Sequence, residues 1–95
     1  MNYVYILSNY KRTTFYTGVT NNIERRLYEH KNHLNEKSFS NKYKTAFLVY
    51  LENYENIETA IQQEKAIKNL SHDKKLELIK TKNPFLKDLY KDFCN

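Results

Sequence analysis

Apolar and polar residues alternate along the chain in a pattern that marks three short strands. Residues 3–8 and 13–19 are rich in aromatic and β-branched side chains, and a polar, turn-like stretch at 9–12 separates them. This arrangement predicts two strands paired as a hairpin. Residues 46–51 form a continuous apolar run, which is typical of a buried strand at the centre of a sheet.

Apolar residues at helical spacing predict two main helices. The first is expected over residues 22–33, where Asn21 can cap the helix and Glu24, three residues later, completes a capping box. Residues 35–44 are polar and predict a loop. The second helix is expected over residues 57–70.

Two further helices are predicted near the end of the chain. A third begins after Ser71 and ends before Asn83 and Pro84, because the residue that precedes a proline avoids helical backbone. Apolar positions between residues 85 and 93 predict a short terminal helix. The resulting order, ββαβααα, indicates the α+β class, with a three-stranded antiparallel sheet flanked by helices in one domain over residues 1–95.

Composition excludes several classes of protein. With 40% hydrophobic and 15% aromatic residues, the chain can form a core and is unlike a disordered one. It has no apolar run near the ~18 residues of a membrane span, so no membrane association is expected. The single Cys94 has no disulfide partner, which favours the reducing cytoplasm, and one Cys with three scattered His shows no zinc-ligand spacing.

The net charge of +5 is concentrated in the first half of the chain. Residues 1–50 carry eight Lys and Arg against three Asp and Glu, whereas residues 51–95 carry eight of each kind. A basic surface in a chain with nine tyrosines suits a polyanion whose bases can stack, which makes nucleic acid the expected partner. The alternative is a basic protein whose lysines are simply solvated.

Gly18 is the only glycine in the chain, and it ends the run Phe15-Tyr16-Thr17-Gly18. An average domain of this size would contain about six glycines. A chain so poor in glycine is expected to keep one where the backbone needs a positive φ, or where another group approaches too closely for a Cβ. We therefore expect a site where the second strand gives way to the first helix, with Gly18 in a geometric role.

Polar residues interrupt the apolar face of each main helix. His30 falls within the face of the first helix and Arg26 borders it, while Glu64 falls within the face of the second. The apolar positions are Ile23, Leu27 and Leu34 on the first helix and Ile57, Ala60, Ile61 and Ile67 on the second. A carboxylate on such a face needs a cation. Either Glu64 forms a buried pair with Arg26 or His30, or these residues build a shared site in which Glu64 can bind Mg²⁺.

Two tyrosines extend this candidate site onto the sheet. If the first two strands pair as a hairpin, Tyr5 and Tyr16 can lie on the same face. The alternative is ordinary core packing, since tyrosine is a common strand residue.

These residues together resemble the GIY-YIG endonuclease superfamily, and most closely its small single-domain bacterial members. The resemblance extends from Tyr3 to about Leu89. Tyr3 stands where the first triplet has glycine, and Thr17 replaces isoleucine in the second, but neither position reacts. The family's fold, a three-stranded antiparallel sheet flanked by helices, agrees with the predicted order. The residues that carry the resemblance are Tyr3-Val4-Tyr5, Tyr16-Thr17-Gly18, Arg26 and Glu64, together with the block from Tyr16 to His30.

The resemblance implies a divalent-metal-dependent endonuclease that hydrolyses phosphodiester bonds in DNA, on particular DNA structures or in repair. The implied catalytic residues are Tyr5, Tyr16, Arg26, His30 and Glu64, with Glu64 as the ligand of Mg²⁺ or Mn²⁺. Gly18 and Asn83 are implied to support the site structurally. Candidate contacts to the nucleic-acid backbone are Lys11, Arg12, Arg25, Lys31, Lys42 and Lys44.

In the implied mechanism, Arg26 offers donors to the phosphate oxygens while Tyr5 positions or deprotonates the attacking water. Tyr16 or His30 helps to orient the water or to relay its proton. An unperturbed tyrosine has a pKa of about 10, so Tyr5 needs nearby positive charge to act as a base.

Two other functions fit the same residues. A non-catalytic nucleic-acid-binding module would keep the fold and bind in a salt-sensitive way without cleavage. An interaction or structural protein would use Arg26 and Glu64 as a buried pair, and replacing Glu64 would then affect folding alone.

Overall fold

The computed structural model describes residues 1–9, 11–31 and 47–89. Three strands and three helices lie in this part of the chain. The strands are β1 (Asn2–Ser8), β2 (Phe15–Thr20) and β3 (Phe47–Tyr54), and the helices are α1 (Ile23–Lys31), α2 (Ile57–Lys68) and α3 (His72–Lys82). None of these helices has both the length and the apolar character needed to cross a bilayer. The predicted α+β class and antiparallel three-stranded sheet are confirmed.

The central strand of the sheet is β1, and the expectation that the apolar run at 46–51 is central was wrong. The strand order is β2-β1-β3, with both pairs antiparallel. A shift in register between Ile6 and Leu7 accommodates the consecutive apolar residues of β3. It leaves Val49 as an extra residue without a partner on β1. This bulge directs Val49 and Tyr50 into one core and Leu48 into the other.

Each face of the sheet carries its own apolar core. The core that involves α2 and α3 contains Val4, Ile6, Val49, Tyr50, Ala60, Ile67, Ile79 and Leu86. The core beneath α1 contains Tyr5, Leu7, Ile23, Leu27 and Leu48. Because neighbouring residues of a strand point to opposite faces, β1 is buried from Val4 to Ser8 and contributes to both cores.

Polar residues just before each helix bind the free amides of its first turn. Asn22, not Asn21, caps α1, because its Oδ1 accepts a hydrogen bond at 3.1 Å from the amide three residues later. Thr20 explains the difference from the prediction, since its hydroxyl binds the amide of Asn22 at 3.1 Å and holds that residue at the helix start. Asn56 and Ser71 cap α2 and α3 in the same way.

After α3 the chain turns back onto β3 through Asn83. The carboxamide of Asn83 donates to the carbonyls of Val49 at 3.0 Å and Lys87 at 2.8 Å, and it accepts from the amide of Lys87 at 3.0 Å. Leu86 has a φ of 51°, which no right-handed helix adopts. The predicted terminal helix therefore does not begin at residue 85, and its positions from residue 90 onward lie outside the described residues.

Replacing Asn83 with alanine should destabilise the fold. The change leaves the buried carbonyl of Val49 and the amide of Lys87 without a partner, which costs about 2–4 kcal/mol of unfolding free energy. Urea denaturation followed by circular dichroism measures this loss. Asn69→Ala, at the exposed end of α2, is the matched control and should change the free energy by less than about 0.5 kcal/mol. Equal effects of the two changes would contradict the assigned role of Asn83.

Candidate active site

Tyr5 lies directly against Gly18, and this contact organises the candidate site. The two residues are cross-strand partners on β1 and β2, and Tyr5 is 1% exposed. A Cβ built on Gly18 would lie 2.5 Å from Cζ of Tyr5 and closer still to its hydroxyl oxygen. The φ of Gly18 is not positive. Of the two reasons expected for this glycine, the structure shows the close approach of another group and not a positive φ.

Tyr16 lies beside Tyr5 on the same face of the sheet, as the hairpin prediction required. It pairs with Leu7, which places it diagonally across from Tyr5. The ring centroids are 6.3 Å apart and the ring planes are inclined by 50°, a common arrangement for aromatic pairs. Tyr16 is partly exposed, so the pair combines one buried phenol with one that solvent reaches.

Arg26 lies on α1 at the border of the buried face. Ile23 and Leu27 pack into the core around Tyr5 and fix the orientation of the helix. The Nε of Arg26 is buried and has no hydrogen-bond partner among the described residues, while Oε1 of Glu29 is 4.0 Å away. Because a guanidinium is always charged and only donates, Arg26 presents an unsatisfied donor suited to an anion.

Glu64 lies between two fully buried residues of α2, Ala60 and Ile67, and its own side chain is 14% exposed. The cation beside it is Lys68, whose Nζ is 3.1 Å from Oε2. Lys68, and not Arg26 as one of the expected pairs had it, is therefore the cation that neutralises this carboxylate. An i,i+4 pair with a half-exposed lysine contributes only about 0.3–0.5 kcal/mol, so another cation can compete for Glu64.

The prediction that Ile57 and Ile61 lie on the buried face of α2 was wrong. Ile57 and Ile61 are 44% and 37% exposed. At 3.6 residues per turn, Ile57 and Ile61 point about 90° away from Ala60 and Ile67, and Glu64 lies between these two directions. Only the second pair faces the core, so α2 presents a mixed apolar and acidic strip outside it.

The charges of α1 and α2 act together on the hydroxyl of Tyr5. Burial raises the pKa of Tyr5 far above its ordinary value of about 10; Tyr16 and the carboxylate of Glu64 raise it further, and Arg26 lowers it. Arg26 and Glu64 thus act on the pKa of Tyr5 in opposite directions. The phenol is protonated at neutral pH and can donate a hydrogen bond, but it is a poor base.

The predicted nucleic-acid contacts differ in their surroundings. Lys11 and Arg25 are exposed, as a contact to phosphate requires. Arg12 instead donates from Nε to the carbonyl of Leu86 at 3.1 Å, and its guanidinium lies 4.3 Å from the centroid of the Phe47 ring. These contacts favour a structural role for Arg12.

Some predicted residues are remote or undescribed. Asn83 contacts β3 and the turn after α3, which makes it a support of the fold. The side chains of His30 and Lys31 lie outside the described part of the structure, as do Lys42 and Lys44 entirely.

A second polar cluster, which sequence reasoning missed, joins β3 to α3. Tyr50 donates a hydrogen bond to Oε2 of Glu52 at 2.6 Å, and Nζ of Lys82 lies 3.4 Å from Oε1. The bond from Tyr50 lowers the pKa of Glu52. Burial, aided by the same bond, raises the pKa of Tyr50. The alternate spacing of positions 50, 52 and 54, which share one face of a strand, is the signal that could have indicated it.

Comparison with known proteins shows the family and the fold. Residues 1–77 match the GIY-YIG catalytic domain. The chain belongs to the GIY-YIG family. It is 42% identical to a UPF0213 protein of Clostridium perfringens over 83 residues, or 87% of each chain, and 40% identical to one of Syntrophus aciditrophicus over 87% of this chain and 93% of the other. A UPF0213 protein of Bacillus halodurans, solved by NMR, aligns over the whole of both chains with a TM-score of 0.59 and 29% identity.

The GIY-YIG family consists of nucleases that act on DNA, so the chain has the fold of a hydrolase family. Tyr5, Gly18, Arg26 and Glu64 all lie within the residues that match the GIY-YIG catalytic domain, whereas Asn83 lies beyond them. The matched region thus includes both charged residues and the tyrosine–glycine contact.

Gly18→Ala should destabilise the protein through Tyr5. The added methyl group would overlap the phenol ring, and relieving this overlap costs about 1–3 kcal/mol of unfolding free energy. Denaturation of Gly18→Ala, Tyr5→Leu and the double variant measures the coupling between the two positions. The alanine should cost much less once Tyr5 is leucine. Additive effects would show that Gly18 is required for another reason.

Stability should decline at high pH because of Tyr5. Its pKa is higher in the folded than in the unfolded chain, so its contribution is complete below about pH 10 and is lost as the pH rises further, when the unfolded chain releases the proton first. Urea denaturation midpoints measured across this range should fall less steeply for Tyr5→Phe than for the wild type. Parallel declines would contradict this assignment.

Proposed function

We propose that this protein is a metal-dependent endonuclease that hydrolyses phosphodiester bonds in DNA. The observation that carries the proposal is the buried Nε of Arg26, which has no hydrogen-bond partner among the described residues, in a chain whose residues 1–77 match the GIY-YIG catalytic domain. Phosphodiester hydrolysis needs a cation for the phosphate, a carboxylate for a metal ion and hydroxyl groups that orient water. Arg26, Glu64 and the Tyr5–Tyr16 pair can supply these groups in a chain of a nuclease family.

Arg26 binds the phosphate in this proposal. Its buried Nε has no hydrogen-bond partner within the described residues, and a phosphate oxygen would supply one. Negative charge grows on the phosphoryl oxygens as the bond breaks, so the guanidinium binds the transition state more tightly than the ground state. That difference lowers the barrier.

The two tyrosines take different roles. Tyr5 is buried and protonated, so it donates a hydrogen bond and positions its neighbours rather than removing a proton. Tyr16 is partly exposed beside it, so it is the tyrosine that contacts the attacking water or the phosphate. His30, one turn after Arg26 on α1, stays a predicted proton relay.

Glu64 is the residue that would hold Mg²⁺ or Mn²⁺. Within the described ranges, no group of three or more His, Cys, Asp or Glu side chains gathers around one point, so Glu64 acts as a single carboxylate. This donor suits Mg²⁺, which keeps several waters and binds through one or two carboxylates together with substrate phosphate. A bound ion would lower the pKa of a coordinated water and polarise the phosphate.

Two exposed basic residues bind the DNA backbone in this proposal. Lys11 and Arg25 contact the DNA backbone and make binding salt-dependent. We place the activity in the cytoplasm, on structured or damaged DNA of the kind that repair enzymes process.

A nucleic-acid-binding module without catalysis is the second candidate. The Glu64–Lys68 pair favours it, because the lysine already neutralises the carboxylate that a metal ion would need. The two candidates differ in whether the protein cleaves DNA, and therefore in whether replacing Glu64 abolishes an activity.

Glu64→Gln should abolish cleavage and leave the fold intact. The wild type, incubated with supercoiled, single-stranded or branched DNA and Mg²⁺ or Mn²⁺, should nick at least about a hundredfold faster than Glu64→Gln or Arg26→Ala, since each loses a group that stabilises the transition state. Gel electrophoresis measures the nicked product. Glu64→Gln removes only a partly exposed ion pair, so the unfolding free energy should change by less than about 1 kcal/mol.

Glu77→Gln, an exposed position on α3, loses the same charge and should cleave like the wild type. EDTA should stop wild-type cleavage. If the wild type nicks no faster than folded Glu64→Gln with either metal, the endonuclease proposal fails. Salt-sensitive binding without cleavage would then support the second candidate.

A further inference from the structure

A cavity of about 520 Å³ lies beside Arg26, where β2 leads into α1. Its walls come from the start of β1, the end of β2, the first turn of α1 and the segment that leads into α2. Arg26 connects the cavity to the proposed catalytic groups. The volume is in the range of sites that hold a small organic ligand such as a nucleotide.

One wall of the cavity is apolar although it faces solvent. Ile57 lines it from α2 and Val19 lines it from β2. Because Ile57 and Glu64 differ by only about 20° in direction around α2, the apolar side chain at the cavity and the carboxylate lie along one side of the helix. The step from Ile57 to Glu64 is about 10 Å along the helix axis, so the cavity lies within about three nucleotides of Glu64.

The other wall is cationic and polar. Arg25 and Arg26 both line the cavity, while Glu55 is its one acidic residue, so the lining has a positive net charge. Two neighbouring guanidinium groups suit a phosphate. Asn21 also lines the cavity, and because Asn22 caps α1, the carboxamide of Asn21 can bond with the edge of a base.

We propose that this cavity binds one unpaired nucleotide of the substrate strand, within about three nucleotides of the phosphodiester that is cleaved. The proposal rests on the endonuclease function above and specifies its substrate. The base and sugar pack against Ile57, and the phosphate contacts Arg25. A base that is paired and stacked in a duplex cannot enter a cavity, so the nucleotide must be unpaired or flipped out. The preferred DNA therefore contains a bulge, a flap or another unpaired nucleotide.

Binding measured in EDTA tests this proposal without cleavage. The full-length protein is titrated into labelled duplexes of equal length that are fully paired, carry one bulged thymidine or carry one bulged abasic site, and fluorescence anisotropy gives each Kd. We expect the thymidine bulge to bind about tenfold tighter than the paired duplex, and the abasic bulge to lose most of that gain because it has no base to bury.

Ile57→Ser and Arg25→Gln should each reduce this preference by at least about fivefold. Both positions are exposed, so neither change should move the thermal unfolding midpoint by more than about 4 °C. Lys74→Gln removes the same charge as Arg25→Gln from an exposed position at the start of α3, outside the cavity lining. It should leave the ratio of the two Kd values unchanged.

Equal Kd values for the paired and thymidine-bulged duplexes would overturn the proposal, as would a preference that Ile57→Ser leaves unchanged. The outcome is separate from that of the cleavage assay. A protein that nicks DNA without a bulge preference overturns the role of the cavity alone. A protein that prefers the bulge without nicking supports the cavity and overturns the endonuclease function.

Discussion

The contact between the phenol ring of Tyr5 and the bare Cα of Gly18 is the constraint on which the rest of the site depends. Because Gly18 has no side chain, the ring and hydroxyl of Tyr5 can lie directly over the edge strand β2. The same ring also fills part of the core beneath α1. Packing and site geometry thus use one side chain, and neither can change without the other.

Arg26 and Glu64 lie on helices that pack against opposite faces of the sheet. Leu27 and its neighbours anchor the helix of Arg26 in the core on one face of the sheet, and Ile67 anchors the helix of Glu64 in the core on the other. β1 contributes side chains to both cores, so it sets the position of each helix relative to the other. The separation of the cation from the carboxylate therefore depends on the central strand.

Local signals allowed most of the fold to be predicted, whereas features that depend on packing could not be. Ser71 caps α3 as its sequence context indicates, and the shared face of Tyr16 and Tyr5 follows from hairpin pairing alone. The bulge at Val49 could not be predicted, because consecutive apolar residues occur both in a buried central strand and in an edge strand with a bulge. The exposure of Ile57 could not be predicted either, since helical spacing shows which residues share a face but not which face packs against the sheet. The need for Gly18 was evident from composition, but its cause required the position of a ring on another strand.

The segment at 83–88 closes one edge of the sheet. Asn83 donates to the carbonyl of Val49, and Asp88 accepts from the amide of Leu48, so two backbone groups that edge strand β3 would offer to another chain are already bonded. This cover lies beyond the residues that match the family's catalytic domain. Without this segment, two backbone groups of β3 would be open to pairing with another chain, so these few residues limit association through the edge of the sheet.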